Sequence, residues 1–178
     1  MVRYRYYLPD PCLTDTGIKQ AESLGEHLRH IPRSDAIILS SPMRRAIQTA
    51  QIAVGQDIPI EAFAELQEVS RSPCDTGTEI NILEKEFPQV RFHVPPEWPE
   101  KEGLFDVDGE SRDRRAEAVR QIIKGRKENV IFLVSHGGFL SDMLNLELDF
   151  DNAECRLYGI ENDGKLVKSS VKIIPSML

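Results

Sequence analysis

Hydrophobic positions along the chain fall into two patterns, helical spacing and short continuous runs, which together are typical of an α/β protein. Apolar side chains at Leu13, Ile18, Ala21, Leu24 and Leu28 are spaced as on one face of a helix and predict a first helix. Two apolar runs, Ala36–Leu39 and Val130–Val134, end in polar residues and predict buried strands of a parallel sheet. Strands that alternate with helices in this way predict a mostly parallel central sheet.

Turn and capping residues extend this prediction along the chain. Ser41 and Gly55 predict the start and the end of a helix after the first strand, and Ser111 predicts the start of a later amphipathic helix. Asp163-Gly164 between two alternating runs predicts a β-hairpin, and four prolines predict an irregular segment over 88–110. We therefore expect a three-layer α/β sandwich with helices on both faces of the sheet and an antiparallel edge.

Composition narrows the class of protein. The chain has 178 residues, which fits one domain over 1–178, with 40% hydrophobic and 29% charged residues, an ordinary globular mix. A formal net charge of −7 argues against a nucleic-acid partner. Cys12, Cys74 and Cys155 are too widely spaced for a zinc pattern and suit reduced thiols. Since no apolar run has the length of a membrane span, we expect a cytoplasmic protein without a membrane partner.

Two strand ends carry the polar groups that suggest chemistry. In open α/β sheets ligands bind at the carboxyl ends of the strands, and here those ends read "SSPMRR" and "SHGG". The helix starts that follow favour an anion, and Arg44 or Arg45 would add donors that match phosphate or carboxylate oxygens. His136 stands at the second turn, with glycines behind it that let a ligand approach the backbone. Taken alone, each of these residues has an ordinary structural explanation, but together they predict an anion pocket.

Four motifs in a fixed order resemble those of the histidine phosphatase superfamily, the phosphoglycerate-mutase-like proteins. They are "LTDTGIKQAESLGEHL", "SSPMRRAIQTA", "LQEVS" and "VSHGGFL", and the resemblance runs from about Asp10 to Tyr158. The stretches "LQEVSRSPCDTG", "EKEF" and "NAECR" look most like a branch of phosphatases found in fungi. The resemblance implies a phosphoglycerate-mutase-like fold and hydrolysis of a small phosphomonoester.

The resemblance also implies roles for individual residues. Arg45 would bind phosphate, Glu68 would protonate the leaving group, and His136 would bind the phosphoryl group and stabilise its transition state. The remaining substrate-binding positions would be Gly137 and the loop residues Cys74, Asp75 and Thr76. No clustered His/Asp/Glu set is present, so we predict no metal and no cofactor. The expected partner is a small phosphorylated or carboxylated substrate, and a homodimer is an open alternative.

The family's nucleophile does not occur in this sequence. That nucleophile is a histidine in an Arg-His-Gly motif at the end of the first strand, and the motif is missing here. His27 and His30 fall at the first helix, and His93 falls in the segment predicted to be irregular. Residues 1–8 take the place of the catalytic strand, with Tyr4 where the histidine would stand. The phosphohistidine mechanism therefore lacks its first step in this chain.

Three functions follow from this combination. The chain could be a shortened form of an active phosphatase whose nucleophile lies upstream. It could be a remodelled enzyme that uses Arg45, Glu68 and His136 for acid–base chemistry on an anionic metabolite. It could also be a non-catalytic binding protein. A cysteine phosphatase is excluded, because "CDTGTEI" lacks the arginine of such a phosphate loop.

Overall fold

The structure is a computed structural model that describes residues 7–147, 150–161 and 165–173. Its helices and strands alternate through most of the chain, as the hydrophobic pattern predicts. In chain order the elements are α1 (Asp15–Leu28), β1 (Ala36–Ser40), α2 (Arg44–Thr49, continued by a π-helical turn over Ala50–Val54), β2 (Ile60–Phe63), α3 (Ile80–Glu86), β3 (Val90–His93), α4 (Gly109–Lys124), β4 (Val130–Val134), α5 (Gly137–Met143), β5 (Cys155–Ile160) and β6 (Leu166–Ile173).

The central sheet has four parallel strands in the order β3-β2-β1-β4. Ile38 in β1 lies opposite Ile60 in β2 and opposite Phe132 in β4, so β1 has a partner on both edges. All five residues of β1 are buried, which explains its continuous apolar sequence. The predicted α/β architecture with a parallel central sheet is confirmed.

Alternate residues of β1 point to two separate cores, one on each face of the sheet. Ile38 packs with side chains of α1, α2 and α3, whereas Ile37 and Leu39 pack with side chains of α4 and α5. The sheet is therefore the middle layer between two layers of helices. Among the described residues, no helix is both long enough and apolar enough to cross a membrane.

One strand lies where the sequence predicts an irregular segment. β3 pairs in parallel with β2, and its residues alternate between buried and exposed positions, starting with buried Val90 and exposed Arg91. Such alternation is typical of an edge strand with one covered face. The prediction is wrong here because the prolines on either side of the strand conceal a period of two that spans only four residues.

Side-chain caps confirm one predicted helix start and correct two others. Thr14 accepts a hydrogen bond from the Gly17 amide at the start of α1, as expected. The helix after β1 begins at Arg44, and Ser41 does not cap it because the Ser41 hydroxyl lies against His136. Asp108, and not Ser111, caps α4.

A large cavity separates the hairpin from the central sheet. β5 and β6 pair with each other as a two-stranded antiparallel sheet, so they do not form the expected antiparallel edge of the central sheet. The cavity has a volume of about 1710 Å³, and its lining includes β4 on one side and most of β5 on the other. Of the segment 1–8 that takes the place of the catalytic strand, Tyr7 and Leu8 are exposed and Leu8 lines the cavity, whereas residues 1–6 and the predicted hairpin turn 163–164 lie outside the described residues.

Candidate active site

The sheet order brings three polar strand ends to one edge. β1 and β4 are neighbours, so Ser41 and His136, which follow them directly, lie side by side. β2 leads through a short helical turn to Glu68, and Arg45 lies in the first turn of α2. This is the arrangement expected where parallel strands end together.

Arg45 fixes the tautomer of His136. An arginine can only donate, and its Nη2 lies 3.0 Å from His136 Nδ1, so Nδ1 accepts that bond. The imidazole proton then sits on Nε2, which donates to the Ser41 hydroxyl at 2.8 Å. The buried ring is thus held from both nitrogens in the neutral form.

Charge and burial favour the same neutral form. Burial lowers the pKa of His136 well below its usual value of 6.5, and the positive charges of Arg45, Lys101 and Arg115 lower it further. A proton on Nδ1 would also point at the Arg45 guanidinium. His136 therefore accepts a hydrogen bond through Nδ1 and donates one through Nε2, and it is not a resident cation.

The loop after Glu68 holds the Arg45 guanidinium. Arg45 Nη1 donates to the Cys74 carbonyl at 2.7 Å, and Nη2 forms an ion pair with Asp75 at 2.8 Å. Both partners are backbone or carboxylate oxygens that accept charge-assisted bonds. The loop therefore fixes the direction of the planar guanidinium within the site.

Gly138 lets the Glu68 carboxylate approach α5. Glu68 Oε1 accepts from the Val69 amide at 2.8 Å. A Cβ at position 138 would lie only 2.7 Å from that same oxygen and 2.7 Å from Val69 Cγ2. The second glycine of "SHGG" is thus explained by close packing against Glu68, at a backbone conformation that needs no special φ.

Lys101 and Arg115 adjoin the site, although the sequence assigns neither of them a role. Lys101 Nζ donates to the Glu68 carbonyl at 2.7 Å, and the Arg115 guanidinium lies over the Phe139 ring at 4.7 Å. Both side chains are buried. What distinguishes these two positive charges is their burial. Burial cannot be read from the sequence, so the sequence gives no signal that would single them out.

The other predicted residues divide between the site and its surroundings. Cys74 contributes its carbonyl, and burial raises the pKa of its thiol, as does the neighbouring Asp75. The Thr76 hydroxyl turns away to the Ser72 carbonyl at 3.4 Å. Gly137 lines the cavity next to His136.

Arg44, the alternative to Arg45, lies outside this group. Its guanidinium pairs with Glu86 at 2.8 Å and its backbone amide donates to Asp10 at 2.9 Å. The side chain of Asp10 is buried, and burial raises its pKa. Arg44 and Asp10 therefore anchor the segment before α1 to α2, which the sequence did not indicate.

Of the four histidines, which are all described, only His136 lines the cavity. His27 and His30 are exposed at α1 and just after it. His93 lies on β3, where it bonds Glu61 at 3.0 Å and stacks on Phe63. Within the described residues, none of these three bonds Arg45, Glu68 or His136.

A family model described as the histidine phosphatase superfamily (branch 1) matches residues 5–168. The chain belongs to the histidine phosphatase superfamily. The family predicted from four short motifs is therefore confirmed, and the match covers all the site residues named above.

Two curated relatives are similar to the chain. One is a Schizosaccharomyces pombe protein named as a phosphatase, 32% identical over 136 residues, or 72% of this chain and 63% of the relative. The other is an acid phosphatase of Mycobacterium tuberculosis, 31% identical over 134 residues, or 71% of this chain and 59% of the relative. The matched part of the chain thus spans about three fifths of these relatives' length.

Solved structures agree on the fold of this histidine phosphatase superfamily member. The alpha-ribazole phosphatase from Shigella flexneri has a TM-score of 0.61 at 17% identity, covering 96% of this chain and 88% of that one. The Rv3214 protein of Mycobacterium tuberculosis also has a TM-score of 0.61, at 20% identity, covering 93% and 86%. At such identities the likeness concerns the fold alone.

Proposed function

We propose that this site binds the phosphoryl group of a small phosphomonoester and serves its hydrolysis. The observation that carries the proposal is the contact between the Arg45 guanidinium and the neutral His136 imidazole at the ends of adjacent strands. A planar cationic fork beside a hydrogen-bonded imidazole suits the oxygens of a phosphate. The phosphatase names of the relatives support the same class of reaction.

Each residue has a physical role in this proposal. Phosphoryl transfer depends mostly on positioning and on stabilising charge, which Arg45 and the His136 ring would provide. Glu68 lies against the same helix start as His136 and would protonate the leaving oxygen, so that no alkoxide is expelled. Asp75 already pairs with Arg45, so phosphate would share or displace that carboxylate.

The nucleophile is the part of the proposal that this chain does not provide. Of the four histidines, which are all described, only His136 lines the cavity, and it is already held by Arg45 and Ser41. We infer that a covalent phosphohistidine step needs a histidine from sequence outside these 178 residues. The cavity between β4 and β5 has an open strand edge on the β4 side within the described part of the chain, which suits a strand carrying that histidine.

Two forms of the protein test the proposal. The 178-residue chain and a form extended upstream through an Arg-His-Gly strand are assayed for p-nitrophenyl phosphate hydrolysis and for binding of inorganic phosphate. We expect both forms to bind phosphate and only the extended form to turn over. Arg45→Ala should abolish binding, whereas Arg114→Ala, at an exposed position on α4, should leave it unchanged. Unimpaired phosphate binding by Arg45→Ala would refute the proposal.

Acid–base chemistry without a covalent step is the second candidate. It is favoured by the neutral state of His136 and by the Glu68 carboxyl group, which packs against the start of the helix that follows His136. In that case neither form hydrolyses the phosphomonoester, and a carboxylated or phosphorylated metabolite is turned over by the 178-residue chain. His136→Ala and Glu68→Gln would each abolish that turnover. If phosphate binds and no turnover of any kind is found, the chain acts as a binding protein.

A further inference from the structure

Two buried cations next to Glu68 lack a carboxylate partner. The exposed fraction is 6% for Lys101 and 1% for Arg115. Within the described residues, neither cation has a carboxylate oxygen within 4.0 Å, although the chain forms many such pairs elsewhere. Buried charges are almost always paired, because their transfer from water is costly.

The hydrogen bonds of these two groups are also incomplete. Arg115 Nε and Nη2 are buried and have no acceptor among the described residues. Lys101 has three donor hydrogens but only one described acceptor, the Glu68 carbonyl at 2.7 Å. Contact of the Arg115 guanidinium with the Phe139 ring at 4.7 Å offsets part of the cost, but it accepts no N–H bond.

Both cations contact neighbours of the proposed phosphoryl site, since Lys101 bonds the Glu68 carbonyl and Arg115 lies over Phe139, three residues after His136. Lys101 comes from the segment between β3 and α4, and Arg115 comes from α4 itself. Their charges act on each other and on His136, and Lys101 also feels the charges of Glu68 and Asp75. The two cations therefore add positive charge close to the Glu68 part of the site.

We propose that Lys101 and Arg115 form a cationic subsite beside Glu68 that binds an anionic group of the substrate. This inference rests on the proposed function, because it assumes a phosphorylated substrate at Arg45 and His136. The anionic group is either the phosphoryl group itself or a second anion, such as a carboxylate, on the same molecule. Lys101 would contact the group directly, and Arg115 would supply positive potential from behind it.

The charge of Lys101 gives the subsite a pH dependence. The pKa of Lys101 is lowered to about 8, chiefly by burial; Arg115 and Arg45 act in the same direction, while Asp75 and Glu68 oppose them. The titratable and charged groups that act on Lys101 are Arg45, Glu68, Asp75, Arg115 and His136. Because the ammonium loses its proton above that pH, anion affinity should fall as pH rises from 7.5 to 9.5.

Titration calorimetry on the full chain tests the subsite with two probes, inorganic phosphate and 2-phosphoglycolate, which adds a carboxylate. Lys101→Met should weaken binding on the order of tenfold or more, the worth of one charge-assisted hydrogen bond, and Arg115→Met should weaken binding by a smaller factor. The matched controls Lys85→Met and Arg114→Met lie at exposed positions and should bind as wild type does. Lys101→Arg keeps its charge at pH 9.5 and should remove the loss of affinity at high pH.

Each outcome has one meaning. Equal weakening for both probes assigns the subsite to the phosphoryl group, and weakening for 2-phosphoglycolate alone assigns it to a second anion. If both methionine variants bind both probes with wild-type affinity at every pH, the subsite is refuted while the Arg45 pocket stands. If wild type binds neither probe, the proposed function and this inference both fail. Since a misfolded variant also loses binding, the melting temperature is recorded; Arg115→Met should melt no lower than wild type, because an unpaired guanidinium is removed.

Discussion

Replacing Ser41 with alanine should destabilise the protein although it removes a single oxygen. The Ser41 hydroxyl accepts from His136 Nε2 at 2.8 Å and from the Met43 amide at 3.3 Å, and it is fully buried. In the Ser41→Ala variant the imidazole N–H faces a methyl group. The ring cannot escape by moving its proton to Nδ1, because Nδ1 faces the Arg45 donor at 3.0 Å.

The size of the effect follows from that trapped donor. Leaving a buried donor without an acceptor costs about 1–3 kcal/mol, so we expect a loss on the order of 2 kcal/mol in the free energy of unfolding. For a chain of this size that loss corresponds to a melting temperature lower by about 4–8 °C. The Met43 bond is long and adds little.

Urea unfolding at pH 7 measures the loss. Ser34→Ala, at an exposed position before β1, is the matched control and should stay within about 0.5 kcal/mol of wild type. In a His136→Leu background the N–H is gone, so Ser41→Ala should cost much less there, giving a coupling energy of about 1 kcal/mol or more. A Ser41→Ala loss as small as that of the control, or the same loss in both backgrounds, would refute the assigned tautomer.

Three further predictions concern the same region. Burial lowers the pKa of His136, so below pH 6.5 this histidine takes up a proton only in the unfolded state. The free energy of unfolding should therefore fall with decreasing pH by up to about 1.4 kcal/mol per pH unit. Urea unfolding of the His136→Gln variant should lack this slope. Gly138→Ala should lower the melting temperature because its Cβ would meet a carboxylate oxygen at 2.7 Å, whereas Gly109→Ala, with open space around it, should not. Iodoacetamide at pH 8 should alkylate exposed Cys12 before half-buried Cys74, because the pKa of the Cys74 thiol is raised. Mass spectrometry of the peptides shows the order of alkylation, and the reverse order would contradict the direction of the pKa shift.

The elements that could be predicted are those whose local pattern and tertiary burial agree. The run 36–39 is apolar, is buried throughout and pairs in parallel on both edges, so its sequence has one good interpretation. β3 is a counter-example, because four residues between prolines are too short for the pattern to stand out. The start of the helix after β1 was also misplaced, since Ser41 resembles a cap by sequence but binds a histidine 95 positions away.

In the candidate site, too, the residues that could be predicted are those whose role is visible in the local sequence. Arg45, Glu68 and His136 could be singled out because they occur in motifs, and the structure places them at one edge of the sheet. Lys101 and Arg115 could not, since a lysine between acidic residues and an arginine in an amphipathic helix look like solvated charges. Only the packing of the chain puts these two side chains out of water.

The gap between β4 and β5 has a consequence for how the protein opens. The hairpin shares no backbone ladder with the four-stranded sheet in the described residues, so its hydrogen bonds can break without breaking those of β1. Amides of β5 should therefore exchange with solvent deuterium through a local opening, while those of β1 should exchange only through global unfolding. A strand bound in the cavity would join the two sheets into one cooperative unit. Protection of the β5 amides would then report occupancy of the cavity directly.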